Sequence, residues 1–283
     1  MKVIINIIKY IAIILLTCAI IGLLIINIVS STILSKQYVL SKLEETNYYE
    51  EIKKEIESSF ENYIGQSGLD ENVIKDIVSM KKIKEDTNII ITNIYKGTQK
   101  TVNTTEIETN LKNNIEASLE NKKLTITQQK AIDEYINRIA SQYKQTMSHT
   151  SYENDINQMV KKVNRYIEKS KKVVIIGIAV LILLILVLNY KKLMRGIAQT
   201  GIALLSSGIF YVTLKMYINF KIKISNIVIL NDAISNVVKT VMTDILSKIA
   251  QNGIILVCFG IVMIVVGNVI INNSKTKERK EQE

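Results

Sequence analysis

Proline and tryptophan are absent from this 283-residue chain, histidine occurs once and cysteine twice. At an average usage of about 5%, a chain of this length would hold roughly 14 prolines. Their absence excludes a proline-rich linker, a collagen-like segment and proline-built turns, and favours helix throughout. One histidine and two cysteines exclude a disulfide framework and any zinc site made from His and Cys alone. His149 stands in the polar stretch Ser148-His149-Thr150 with no cysteine near it, which reads as a solvated loop. Cys18 and Cys258 fall in apolar runs and read as small fillers.

Catalytic motifs are missing as well. No H-E-x-x-H, no G-x-x-x-x-G-K-[ST] and no G-x-S-x-G occurs. Asp70-Glu71, Glu85-Asp86 and Asp133-Glu134 are adjacent carboxylates. Neighbours in sequence point in different directions on a helix, so these pairs read as solvated face residues and not as an acid/base couple. The expectation is a non-enzymatic protein with no metal and no cofactor.

The net charge is +10, which raises the question of nucleic acid. Between residues 35 and 172 acidic and basic residues nearly balance, so the excess lies in the rest of the chain, beside long apolar runs. Membrane-flanking charge has that distribution, whereas a nucleic-acid face gathers its charge in one soluble domain. Nucleic acid is disfavoured.

Apolar runs long enough for a bilayer, about 20 residues, cover Tyr10 to Val29, 173–190 and 253–271. A weaker one, 196–214, is interrupted by Gln199, Thr200, Ser206 and Ser207. Four spans are expected, with three spans plus a re-entrant piece as the alternative. Residues 1–34 read as a signal anchor. The run is too long for a cleaved signal peptide, and Ser30-Ser31-Thr32 offers no A-x-A-like site. Lys2, Lys9, Lys191, Lys192, Arg195, Lys275, Lys277, Arg279 and Lys280 then mark the cytoplasmic side. Lys169, Lys171 and Lys172 argue the other way, but belong to a long domain that translocates regardless of charge. This places both termini in the cytoplasm of a bacterium, with residues 30–172 and 215–252 outside the plasma membrane.

Residues 35–172 carry helical stripes with capping signals. Asn47 with Glu50 opens a helix whose buried side reads Tyr49, Ile52, Ile56, Phe60, Tyr63 and Ile64, ending at Gly65 and Gly68. Asp70 caps a short helix bearing Val73, Ile74, Ile77 and Val78. Another stripe is Ile83, Ile90, Ile91, Ile94 and Tyr95, closed by Gly97. Thr105 with Glu108 forms a capping box before Ile107, Leu111, Ile115 and Leu119. Thr125 with Gln128 forms a second before Ile132, Tyr135, Ile136, Ile139 and Tyr143. Ile89–Thr92 alone looks strand-like, and it is short enough to be a helix turn. The predicted fold is all-α: a helical bundle inserted between the first and second of four transmembrane helices. Tyrosines follow the stripes and read as core rims.

From Ser151 to Tyr190 only Gly177 could break a helix, and an unbroken one would be about 60 Å long. Its stripe is Ile156, Met159, Val160, Val163, Tyr166 and Ile167. The first span is likewise expected to continue through Ile33, Leu34, Tyr38 and Leu43 to Glu45, giving two stalks. Residues 231–250 form an amphipathic helix with the face Ile234, Val237, Val238, Val241, Met242, Ile245, Leu246 and Ile249. That face either lies on the outer leaflet or, the favoured reading, packs on the helical domain. Gly253, Gly260 and Gly267 recur every seven residues, as do Gly201 and Gly208. They permit close helix packing within one bundle, with a homodimer seam as the sharper alternative. No Asp, Glu or Arg lies in the middle of a span, which disfavours a coupled transporter.

The order of span, large outer domain and three spans is similar in topology to the FtsX/MacB-type membrane subunits of ABC systems. The loop Asn189-Tyr190-Lys191-Lys192-Leu193-Met194-Arg195 is short for that family's ATPase-coupling element, and its outer domain is mixed α/β. A helical ectodomain between two spans also resembles chemoreceptor sensor domains, though no signalling module follows here. Tyr63-Ile64-Gly65-Gln66-Ser67-Gly68-Leu69, Asp76-Ile77 and Ile94-Tyr95-Lys96-Gly97 resemble uncharacterised four-span membrane proteins of Firmicutes bacteria, and the Ile-, Lys- and Asn-rich composition fits a low-GC genome. That resemblance implies a helical extracellular domain and brings no activity.

The expected function is a plasma-membrane protein, in contact with lipid and another membrane or envelope protein, whose outer domain binds a partner or supports an envelope complex. The alternative is an exporter subunit whose separate ATPase docks on Lys191, Lys192 and Arg195. A third reading is an extracellular sensor with a separate cytoplasmic partner.

Overall fold

A computed structural model describes residues 2–64, 70–119, 125–147, 150–229 and 232–280. Among them the chain is helical, without strands: α1 (Lys2–Ser31), α2 (Lys36–Glu45), α3 (Tyr48–Ile64), α4 (Met80–Lys96), α5 (Thr105–Ser118), α6 (Ile126–Met147), α7 (Thr150–Leu188), α8 (Leu193–Lys221) and α9 (Asp232–Lys280). Short 3-10 turns stand at Glu71–Ile74, Tyr190–Lys192 and Ile224–Asn226. Four of the helices hold segments long and apolar enough to cross a membrane: Val3–Ser31, Asp155–Leu188, Tyr190–Lys221 and Asp232–Ile271. Gly65, Gly68 and the residues between them, and His149, lie outside the described residues.

Contacts divide the chain into two units, one of residues 2–33, 164–227 and 239–280, the other of 34–163 and 228–238. The second unit closes round an aliphatic core in which Ile56, Phe60, Ile83, Ile107, Leu111, Ile115, Ile139 and Tyr143 are fully buried. Its helices begin and end on local side-chain bonds. Ser35 accepts from Tyr38 N at the start of α2, and Ser79 from Lys82 N at the start of α4. Gly97 ends α4 with φ +70°, a left-handed turn that only glycine adopts without cost. At α6 the reciprocal capping box forms: Gln128 N donates to Thr125 Oγ1 at 3.3 Å and Thr125 N to Gln128 Oε1 at 2.9 Å.

Several local expectations change. The first span does not run on to Glu45, because the helix breaks at residues 32–35. Ser31 and Thr32 both turn their hydroxyls onto Ile28 O, at 3.2 and 2.6 Å, and Ser35 then caps a new helix. Such back-bonding gives the chain an alternative to the next helical turn. Asp70 caps only a single 3-10 turn; Ile77 and Val78 are buried beyond it, and Asp76 stands at φ +56°. Asn47 is at φ +54° between α2 and α3, so it is a left-handed corner and not an extended cap. Helix α5 starts without the expected box: Asn103 Oδ1 accepts from Thr105 N at 2.8 Å, while Glu108 is taken by the Thr104 hydroxyl at 2.5 Å. Ile89–Thr92, by contrast, takes the helix-turn reading that its length allowed, inside α4.

In the other unit, α1 and α8 run parallel. Ser207 Oγ donates to Thr17 O at 3.3 Å, and one turn on Tyr211 OH donates to Ile21 O. Ala12, Leu16 and Ile20 of α1, Ile185 of α7 and Ala203 of α8 close a common core. Two of the hydroxyls that weaken this span in sequence are satisfied internally, Thr200 on Gly196 O at 3.0 Å and Ser207 on Ala203 O at 2.7 Å. Helix α9 is continuous, whereas the sequence suggested an amphipathic helix followed by a separate span. Nothing at Gln251-Asn252-Gly253 stops it: Asn252 Nδ2 donates back to Lys248 O at 2.9 Å, keeping its amide inside the helix.

Candidate functional site

Four of the five glycines of the seven-residue repeats meet one another across α8 and α9, and the fifth, Gly267, faces Met194 and Ala198. A Cβ on Gly208 would stand 2.5 Å from Gly253 O, and one on Gly260 would stand 2.6 Å from Leu205 N and 2.8 Å from Gly201 O. A Cβ on Gly267 would reach Met194 O at 2.8 Å and Ala198 Cβ at 2.9 Å. The pairing of 201 with 260 and 208 with 253 makes the two helices antiparallel, with backbones as close as small residues allow. Gly22 and Gly177, outside the repeats, have nothing within 4 Å of a Cβ position.

Lys191, Lys192 and Arg195 are exposed at the turn between α7 and α8, beside exposed Tyr190 and Leu193. Asn189 knots this turn from beneath. Buried itself, it accepts from Lys9 Nζ at 2.8 Å and donates to Ile185 O at 2.7 Å and Gln199 Oε1 at 2.8 Å. On α9, the residues expected to form the buried face are distributed differently. Leu246 is buried, and Ile234, Val237, Val238, Val241, Met242, Ile245 and Ile249 are half-buried. Ala233, Ser235 and Ala250 are buried instead, and Ala233 with Val237 packs into the core of the second unit. Ser235 ties down the preceding loop, accepting from Ile229 N at 2.8 Å and donating to Ile229 O at 2.9 Å.

A polar cluster escaped sequence reasoning altogether. Asp86, taken above for a solvated carboxylate, is fully buried. Lys82 Nζ reaches its Oδ1 at 2.7 Å, and the buried Tyr143 hydroxyl donates to its Oδ2 at 2.7 Å. Burial, first, and then the bond to Asp86 hold the Tyr143 phenol well above its ordinary range, so it stays protonated. The i, i+4 spacing of Lys82 and Asp86 was legible; that they face the core was not, because an inward Lys–Asp pair looks like any surface pair in sequence. Among the described residues no group of three His, Cys, Asp or Glu is placed to hold a metal ion. The cluster has the partners of a structural ion pair.

An exposed apolar row stands on α7. Asn157 turns inward and donates through Nδ2 to Asn93 O and Ile94 O, at 3.2 and 2.5 Å, satisfying carbonyls at the end of α4. That choice of inner face sends Ile156, Met159 and Val163 outward, at 41%, 65% and 38% exposure. The sequence showed the stripe but not which way it faces. Elsewhere on this unit a shallow groove of about 290 Å³ between α5 and α6 is lined by Glu108, Lys112, Asp133 and Asn137, a mixed set of charges with no common sign.

No family model, no curated protein and no solved structure matches this chain.

Proposed function

We propose that this is a non-enzymatic multi-pass plasma-membrane protein whose helical outer domain binds a protein partner or supports an envelope complex. Both termini are cytoplasmic in this reading, and residues 30–172 and 215–252 face outward. The observation that carries it is the apolar row Ile156, Met159 and Val163, exposed on a segment flanked by charge. Contiguous apolar residues left open on a surface mark contact sites for proteins or membranes. The test is a photo-cross-linking residue at Met159 in living cells, with Lys81, 86% exposed on its side chain, as the control. A discrete protein adduct at 159 and none at 81 supports the reading. Absence of any adduct at 156, 159 and 163 in well-expressed protein refutes it.

A second reading, an exporter subunit worked by a separate ATPase, draws on the α7–α8 turn. There, exposed Tyr190 (69%) and Leu193 (53%) stand beside three exposed basic residues on a turn held by Asn189. Its test is co-purification of an ATPase from cells, lost when Lys191, Lys192 and Arg195 are all changed to Glu.

A further inference from the structure

Where α1 ends and the apolar parts of α7 and α9 begin, a cleft of about 350 Å³ opens among the three helices. Its polar lining is Asn27, Ser30 and Ser31 from α1, Lys171 from α7, and Lys248 and Asn252 from α9. They sit at or within about a turn and a half of the edge of an apolar run. Ser30 follows Val29 and Asn27 precedes it by two residues, Lys171 precedes Val173 by two, and Asn252 directly precedes Gly253 with Lys248 one turn before it. All six therefore share the depth at which a bilayer changes from hydrocarbon to headgroup.

Lys171 is half-buried, with no hydrogen bond or ion pair to any described residue. The Asn27 amide and the Ser30 hydroxyl likewise have no such partner. Lys248 is paired with Asp244 at 3.1 Å, which leaves Lys171 as the uncompensated cation of the cleft. An ammonium, a hydroxyl and an amide lining one space make up the donor set of a phosphate site. Leu24 and Ile28 line the same space and give it an apolar side, which a free phosphate would not use but an acyl chain would.

We infer that this cleft binds the phosphate of an anionic phospholipid headgroup, with Lys171 as the principal cation and Lys248 as the second. Basic pockets between membrane helices at headgroup depth recognise anionic lipids in this way. The site is independent of the α7 face assigned to a protein partner, so either assignment can fail alone.

The experiment uses the full-length protein in mild detergent, titrated with phosphatidylglycerol, phosphatidylcholine or inorganic phosphate and read by native mass spectrometry. Expected are saturable phosphatidylglycerol adducts that exceed those of phosphatidylcholine, with no competition by millimolar phosphate. Lys171→Gln should weaken binding about fivefold, the worth of one lysine at an anionic surface. Lys171→Gln with Lys248→Gln should weaken it further, Lys171→Arg should restore it, and Lys172→Gln, one exposed residue along and outside the cleft, should leave it unchanged. Four results overturn the inference: unchanged binding in Lys171→Gln; an equal loss in Lys172→Gln, which means unspecific charge attraction; equal adducts with phosphatidylcholine; or displacement by inorganic phosphate, which means a soluble anion is the ligand.

Discussion

Changing Asp86 to Ala in the intact protein removes the one carboxylate that both Lys82 and Tyr143 use. Lys82 is 7% exposed and the Tyr143 ring is fully buried, so neither can turn to water without opening the core. Removing one member of a buried pair typically costs about 3–5 kcal/mol, because the remaining charge is left uncompensated. The stranded Tyr143 hydroxyl is part of the same loss, so the two penalties are not summed. At 1.4 kcal/mol per factor of ten, the amides of α4 and α6 should exchange with deuterium roughly 100- to 3,000-fold faster. Those of α8 in the other unit should be unchanged. The triple variant Lys82→Met, Asp86→Leu, Tyr143→Phe replaces the cluster with apolar groups of similar size and should recover most of the protection, because no polar atom of the three is left unpaired. Exchange read by mass spectrometry on detergent-solubilised protein decides the matter. If Asp86→Ala changes exchange less than tenfold, or the triple variant is as unprotected as the single one, the cluster is not the buried ion pair described.

Glycine-to-alanine changes should sort by position. Gly208→Ala and Gly260→Ala put a Cβ against backbone atoms at 2.5 and 2.6 Å, so α8 and α9 must separate. The overpacking penalty is about 1–3 kcal/mol. Gly22→Ala and Gly177→Ala meet nothing and should be neutral or gain up to about 1 kcal/mol of helix propensity. Thermal midpoints in one detergent test this, and equal destabilisation by both classes would refute it. A third prediction concerns alkali. Burial, with Glu55 and Tyr49 nearby, pushes the Tyr48 phenol up to about 12 from an ordinary 10. The folded state then holds its proton more tightly than the unfolded one. Stability should be full below pH 10 and fall by about 2–3 kcal/mol as pH rises from 10 to 12. Tyrosinate absorbance against pH checks it: a phenol in Tyr48→Phe-sensitive absorbance that ionises near pH 10 in folded protein would contradict the placement.

Much of this molecule is determined by local chemistry that a sequence displays. The absence of proline, the 3.6-residue stripes and the long apolar runs specify helices and four candidate membrane crossings whatever else the chain does. Thr125 with Gln128 and the left-handed end at Gly97 are likewise readable, because the partners of each are within a few residues. Where neighbouring hydroxyls compete for the backbone, as at Ser31, Thr32 and Ser35, local reading extended a helix that the chain breaks.

Tertiary structure alone decided which side of each helix faces in. The stripe Ile156, Met159 and Val163 has no assigned side until Asn157 is seen bonding the end of α4, and Asp86 looks solvated until Tyr143 arrives from 57 residues away. Lys171, Lys248 and Ser30 carry no shared motif; they form a cleft only because the end of α1 meets the interiors of α7 and α9. Periodicity reports that a helix has two faces, while the choice between them depends on partners distant in the chain, whose contacts no single window of sequence contains.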